Sequence, residues 1–137
     1  MAGFIFNAGA DGLSSEGSID WIANTIKIRP VATAAGVPSK DANFMTSIGV
    51  TGYDVTVASK SKVRNDTLDQ IVYGFASFSF VAVLAGVGEI NRAVIFKSVT
   101  NDADSIPIAV VDITPTTPNG ANINVTVSAS GAFASQQ

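Results

Sequence analysis

Apolar and polar residues alternate at a period of two over several short stretches of this chain, which is the signature of half-buried strands. In residues 25–31 (TIKIRPV), Ile26 and Ile28 share one face and Lys27 and Arg29 the other, with Pro30 expected to stop the pairing. Val55 and Val57 alternate with Asp54 and Thr56, and Ile123, Val125 and Val127 alternate with Asn122, Asn124 and Thr126. The dominant feature is an uncharged run over residues 71–88, IVYGFASFSFVAVLAGVG. It approaches the roughly 20 apolar residues a membrane helix needs. Its texture is that of strands instead. Ile71, Tyr73 and Phe75 fall on one face, Phe78 and Phe80 then alternate with Ser77 and Ser79, and the phase slips near Ala76. The reading is two core strands joined through a bulge or bend. Residues 89–97 (EINRAVIFK) give another strand, and residues 106–113 (IPIAVVDI) one apolar enough to be buried on both faces.

The remaining stretches are short. Phe44, Met45 and Ile48 at helical spacing, with Ser39 or Asp41 as cap and Gly49 as stop, predict a two-turn helix over residues 41–48. Ser18 is placed to cap a single helical turn carrying Ile19, Trp21 and Ile22. Residues 59–69 put Lys60, Lys62 and Arg64 on one strand face before a turn at Asn65-Asp66. Such cations form a solvated edge that resists edge-to-edge pairing more readily than a phosphate site. Turns are expected at residues 101–105 and at Asn119-Gly120. Ahead of all this, Phe4, Ile5 and Phe6 precede a small, polar stretch to residue 18. That segment reads either as a strand anchored by Phe4 and Phe6 or as an arm whose apolar tip lies on a neighbouring subunit. The expected fold is therefore all-β, a β-sandwich or jelly-roll-like domain of seven or eight strands with one short helix. Residues 1–18 form its extended N-terminal arm, and residues 19–137 a single domain.

Composition narrows the function. Only 14% of the 137 residues are charged while 47% are hydrophobic, so the surface is unusually neutral and suited to being covered in an assembly. A net charge of −3 argues against nucleic acid as a partner. With no cysteine and no histidine, disulfides, thiolate metal sites and every Ser-His-Asp triad are excluded. Glu16 and Glu89 are the only glutamates, and the aspartates sit mostly at turns, where they bond the backbone. The Asp102/Asp104 turn lacks the glycine and closing glutamate of a calcium loop. No catalytic, cofactor-binding or metal-ligating residue is expected. The N-terminal residues lack a basic segment followed by a long apolar one, so the chain is expected to be made and used in a cytoplasm, or assembled there into something larger, with no membrane partner.

Several pieces of the chain fall in an order that resembles a family of small virion proteins of tailed bacteriophages. They are FNAG at Phe6, IDW and NTIK within residues 19–27, GYDVTVASKSKVRND at Gly52, and AVIFK followed by TNDADS from Ala93. PIAVVDI at Pro107, TPNGANINV at Thr117 and GAF at Gly131 complete the set. The resemblance implies a β-sandwich structural protein of the particle, a capsid decoration or cement protein. Such a protein binds the major capsid protein on the shell exterior as a homotrimer, after assembly in the bacterial cytoplasm. It implies no catalytic residues. The family's last strand often carries tryptophan where this chain has Val127. The partner-binding residues expected from the arm reading are Phe4, Ile5 and Phe6; Trp21, expected to pack against the core edge, is the further candidate. The rival readings are a receptor- or glycan-binding module of a tail or fibre, with Trp21 and Tyr53 as exposed aromatics, and a tail-tube or connector subunit.

Overall fold

The structure, a computed structural model, describes residues 3–14 and 17–136. Ten strands are present among them: β1 (Gly3–Ile5), β2 (Ile26–Ala32), β3 (Val55–Thr56), β4 (Ser61–Asn65), β5 (Gln70–Gly74), β6 (Phe78–Phe80), β7 (Ile90–Lys97), β8 (Ile106–Thr116), β9 (Ile123–Val125) and β10 (Phe133–Gln136). The fold is all-β and sandwich-like. One layer is a five-stranded antiparallel sheet in the order β1-β8-β7-β2-β3. The other is built from β10-β5-β4 and from the pair β6-β9.

The period-two pattern decides which side chains meet. Ile28 pairs with Ile95, and both face the space between the layers with Ile26, Ala93, Ile108 and Val111. From the smaller layer, Tyr73, Phe80, Ile123 and Val125 close onto them. The long run bends where its phase slips. Residues 75–77 leave the ladder, the Ala76 amide donates to Ala58 O at 2.9 Å, and β6 then pairs with β9 instead of with β4 or β10. Val127 is buried in this core, and its amide donates to Ser77 Oγ at 2.9 Å.

Strand β2 differs from expectation at two residues. Pairing continues through Pro30 to Ala32, because the Pro30 carbonyl faces away from β7 and accepts from the Val50 amide at 2.9 Å. Nitrogen and carbonyl of one strand residue point to the same edge, so the missing N–H is not one the β7 ladder needs. Arg29 does point away from Ile26 and Ile28, yet it is buried. The outer face of the large sheet is itself covered. Phe6, Val31, Met45, Val94, Phe96 and Val110 form a second, smaller core there.

Two elements are not where the pattern places them. Residues 41–48 are turns, since the Met45 amide is taken by Asp102 O and Ser105 O at 3.1 and 3.0 Å instead of by a carbonyl one helical turn back. The helix is α1 (Asn7–Leu13), whose sequence NAGADGL has no side-chain N-cap. It forms because small residues let it lie on β8: a Cβ on Gly9 would meet the Ile108 carbonyl oxygen at 2.4 Å. Residues 3–13, read from sequence as part of an arm, are thus a strand and a helix packed on the domain, with the Phe6 amide donating to Ile108 O at 2.9 Å. Residues 1, 2, 15 and 16 of that segment lie outside the described residues. The single turn after Ile19 is present and is capped by Asp20, whose Oδ1 accepts from the Ile22 and Ala23 amides, and not by Ser18.

Candidate functional site

The structure separates the residues expected to bind a partner. Phe6 is fully buried in the outer core and meets Phe4 edge-to-face at 5.2 Å between ring centres. Trp21 is buried in an aromatic cluster, edge-on to Tyr73 at 5.3 Å and to Phe133 at 5.4 Å. Neither has surface to offer a partner, which corrects that expectation for both. The physical reason is that their large apolar area is worth more inside than on an arm. Phe4 and Ile5 are half-buried on β1. Tyr53 is half-buried too, and its hydroxyl accepts from the Leu84 amide at 3.4 Å.

The densest polar constellation is centred on Arg29, a residue whose role the sequence pattern conceals. Its Nε and Nη2 donate to the two carboxylate oxygens of Asp54 at 2.7 and 2.9 Å. Nη1 and Nη2 donate to Asp102 at 3.0 and 2.9 Å, and Nη1 also to Ile48 O at 3.1 Å. All five guanidinium N–H groups are therefore used, and Arg29 Cζ lies 5.0 Å from the centre of the Phe96 ring. The hydrogen bonds it donates to Asp54 and Asp102 outweigh burial and hold Arg29 charged beyond its ordinary range. The Arg29 hydrogen bond likewise holds the Asp102 carboxyl below the usual carboxylate range, against the opposing effect of burial. This is a fastener between β2, the segment at Ile48 and Asp54, and the 101–105 turn. Within it every guanidinium N–H is engaged, and both carboxylates are bonded to the arginine. Among the described residues no group of three His, Cys, Asp or Glu is placed to hold a metal ion. No helix among them is long and apolar enough to cross a membrane.

Two kinds of surface remain. The first is a set of exposed apolar side chains: Val37 and Phe44 on the segment covering the outer core, Val81 and Leu84 before β7, and Val63 and Leu68 on the β4–β5 hairpin, all 49–64% exposed. The second is an asymmetry of the sandwich. On one side the chain itself crosses between layers, running from β3 to β4 with Val57 bonded to Ile26 and Ala58 to Ala76. On the other side the layers part. Strands β1 and β10 line a groove of about 500 Å³, and Asp112, Ile113, Thr114 and Thr116 of β8 line one of about 320 Å³ with β9. The edge strand β4 carries Lys62, cross-strand from Tyr73, and Arg64, cross-strand from Ile71, on the core side of its sheet. Charges so placed on an edge discourage indiscriminate pairing. Strand β9 has no such guard.

No family model, curated protein or solved structure matches this chain.

Proposed function

We propose that this chain is a non-catalytic structural protein of a tailed-bacteriophage particle, a decoration or cement protein that binds the major capsid protein on the shell exterior as a homotrimer. The observation that carries the reading is a surface with few charges from which large apolar side chains project at several loops. Such side chains are suited to burial against a partner. The resemblance of several ordered strand and turn pieces to small virion proteins of tailed bacteriophages points the same way. The clamp is the loop surface and not the N-terminal segment. Covering the exposed parts of Val37, Phe44, Val81 and Leu84 contributes roughly 3–6 kcal/mol per copy before ordering losses. A trimer multiplies that contribution, and simultaneous engagement makes release of the whole unit slow. Burial of Trp21 counts against a glycan-binding module, which needs exposed aromatic faces.

The test is a density map of the assembled particle combined with rebinding of the purified protein to shells stripped of it. Density on the shell exterior, and rebinding weakened about tenfold or more by Phe44→Asp with Leu84→Asp, is the expected result. Density confined to the tail, or absence from the particle, overturns it.

A further inference from the structure

Asn119 is the one asparagine of the chain that precedes a glycine. It and Gly120 are exposed in the connection between β8 and β9, where Gly120 takes φ +91° with open space at the position of a Cβ. Asn119 Oδ1 accepts from the Ala121 amide at 3.2 Å, which closes a side-chain turn around Gly120. The Gly120 amide is engaged in turn. It donates to Val83 O at 2.8 Å, and the Val83 amide donates back to Ala121 O at 3.2 Å. Val83 is fully buried, so that carbonyl is anchored. Beside it Ala82 holds φ +49°, a conformation alanine rarely adopts, and its amide is tied to Asn122 Oδ1 at 2.9 Å.

We propose that Asn119-Gly120 is a self-modification site, a deamidation clock that the hydrogen bond from the Gly120 amide to Val83 O keeps slow in the folded chain. The chemistry needs only water. Hydroxide removes the Gly120 amide proton, and the nitrogen lone pair attacks Asn119 Cγ. The side-chain nitrogen takes a proton from water and leaves as ammonia, so the new C–N bond closes a succinimide. Water then opens the ring at either carbonyl, giving aspartate or isoaspartate. Glycine suits the step because no Cβ hinders its nitrogen and its backbone turns freely. While Val83 O holds the amide proton, the nitrogen can neither lose it nor turn toward Cγ, so reaction waits for a local opening. The Ala121 amide, already on Oδ1, is placed to receive the charge that develops there during attack. Isoaspartate lengthens the main chain of the turn by one carbon, which pulls Ala121 off Val83 and strains the pairing of β9 with β6. Either product also puts a negative charge into residues 113–137, which carry none. This is covalent chemistry of the chain itself and does not rest on the capsid reading.

The experiment follows the full chain in mildly alkaline buffer, folded and unfolded in guanidinium, by mass-spectrometric peptide mapping that separates Asn119 from Asn101, Asn122 and Asn124. In guanidinium Asn119 should deamidate before every other asparagine. In the folded chain the same site should be slower by roughly 10- to 100-fold, because the two backbone bonds with Val83 must open first. Asn122→Ala releases the Ala82 amide and should speed Asn119 loss in the folded chain about fivefold, with the guanidinium rate unchanged. Exchange of the Gly120 amide proton, read by NMR, needs the same opening and should rise by the same factor. Should that variant fail to fold, the parent decides alone: its Gly120 exchange protection and its deamidation slowing must agree within about threefold. A folded rate equal to the unfolded one, another asparagine reacting first in guanidinium, a folded Asn122→Ala protein with unchanged rates, or exchange that does not track deamidation each overturn the proposal.

Discussion

Replacing Arg29 by methionine removes five donors from one buried position while keeping a long unbranched side chain against Phe96. Breaking a buried pair by deleting one partner typically costs about 3–5 kcal/mol, because the other partner is left uncompensated. Here the stranded carboxylates are partly solvated, with side chains of Asp54 23% and Asp102 38% exposed, so water recovers part of that loss. The expected destabilisation is about 3 kcal/mol. For a chain of this size that corresponds to a fall in Tm of about 10 °C, read by circular dichroism and cross-checked by urea unfolding. Acid titration adds a second reading of the same contact. Asp102 is held below its unfolded carboxylate range, so its contribution is complete above about pH 4 and is lost as pH falls toward the lowered folded value. Arg29, pushed upward, stays charged throughout that window and adds no slope of its own. The Arg29→Met protein should therefore lose part of the parent's destabilisation in acid. If it melts within about 2 °C of the parent and keeps the same acid slope, the Arg29 cluster is not a fastener and the reasoning fails.

Deleting residues 1–9 removes β1 and Phe6, and Phe6→Ala alone should cost about 3–5 kcal/mol in urea unfolding, whereas an arm that touches only partners would leave stability unchanged. Gly9→Ala should destabilise by about 2 kcal/mol through its clash with the Ile108 backbone, although helix propensity alone predicts a gain. Gly86→Ala, with open space around the added Cβ, is the control and should be neutral to slightly stabilising in the same melts. Among the described residues the buried Trp21 indole N–H has no hydrogen-bond partner, so Trp21→Phe should cost only the lost ring packing, about 2 kcal/mol in urea unfolding; a loss above about 4 would mean that the N–H is bonded in solution.

The strands were legible because alternation at a period of two is a direct image of a sheet with one buried face. The bend at Ala76 was legible as a phase slip, and the turns at Asn65-Asp66 and at residues 101–105 from their residue chemistry. The helix was not. NAGADGL carries two glycines and no cap, and is stabilised by fitting the backbone of β8, whose partner residues come about 100 positions later. Phe44, Met45 and Ile48 show the converse, a helical spacing overridden when a distant turn captures the Met45 amide. Arg29 illustrates a third limit. Period two tells which face a residue takes, but not whether that face has a second cover. Three charges scattered over residues 29, 54 and 102 carry no local signal of the cluster they form. Phe4, Ile5 and Phe6 marked an apolar segment correctly, while its owner, this domain or a neighbour, depended on β8.

The pairing of β1 with β8, and of β10 with β5, also governs how the chain reaches its fold. Gly3 waits for Val111, α1 has no surface to lie on before β8 exists, and Phe133 stacks on Tyr73 at 4.9 Å only once nearly the whole sequence is present. Contacts this distant along the chain slow folding, since loops must close before burial rewards them. A partly synthesised chain therefore holds Trp21 and Tyr73 in a cluster that lacks its final ring. Trp21 emission during refolding should report the arrival of β10 as a late event, and the open layer before that moment is when the chain is most exposed to aggregation.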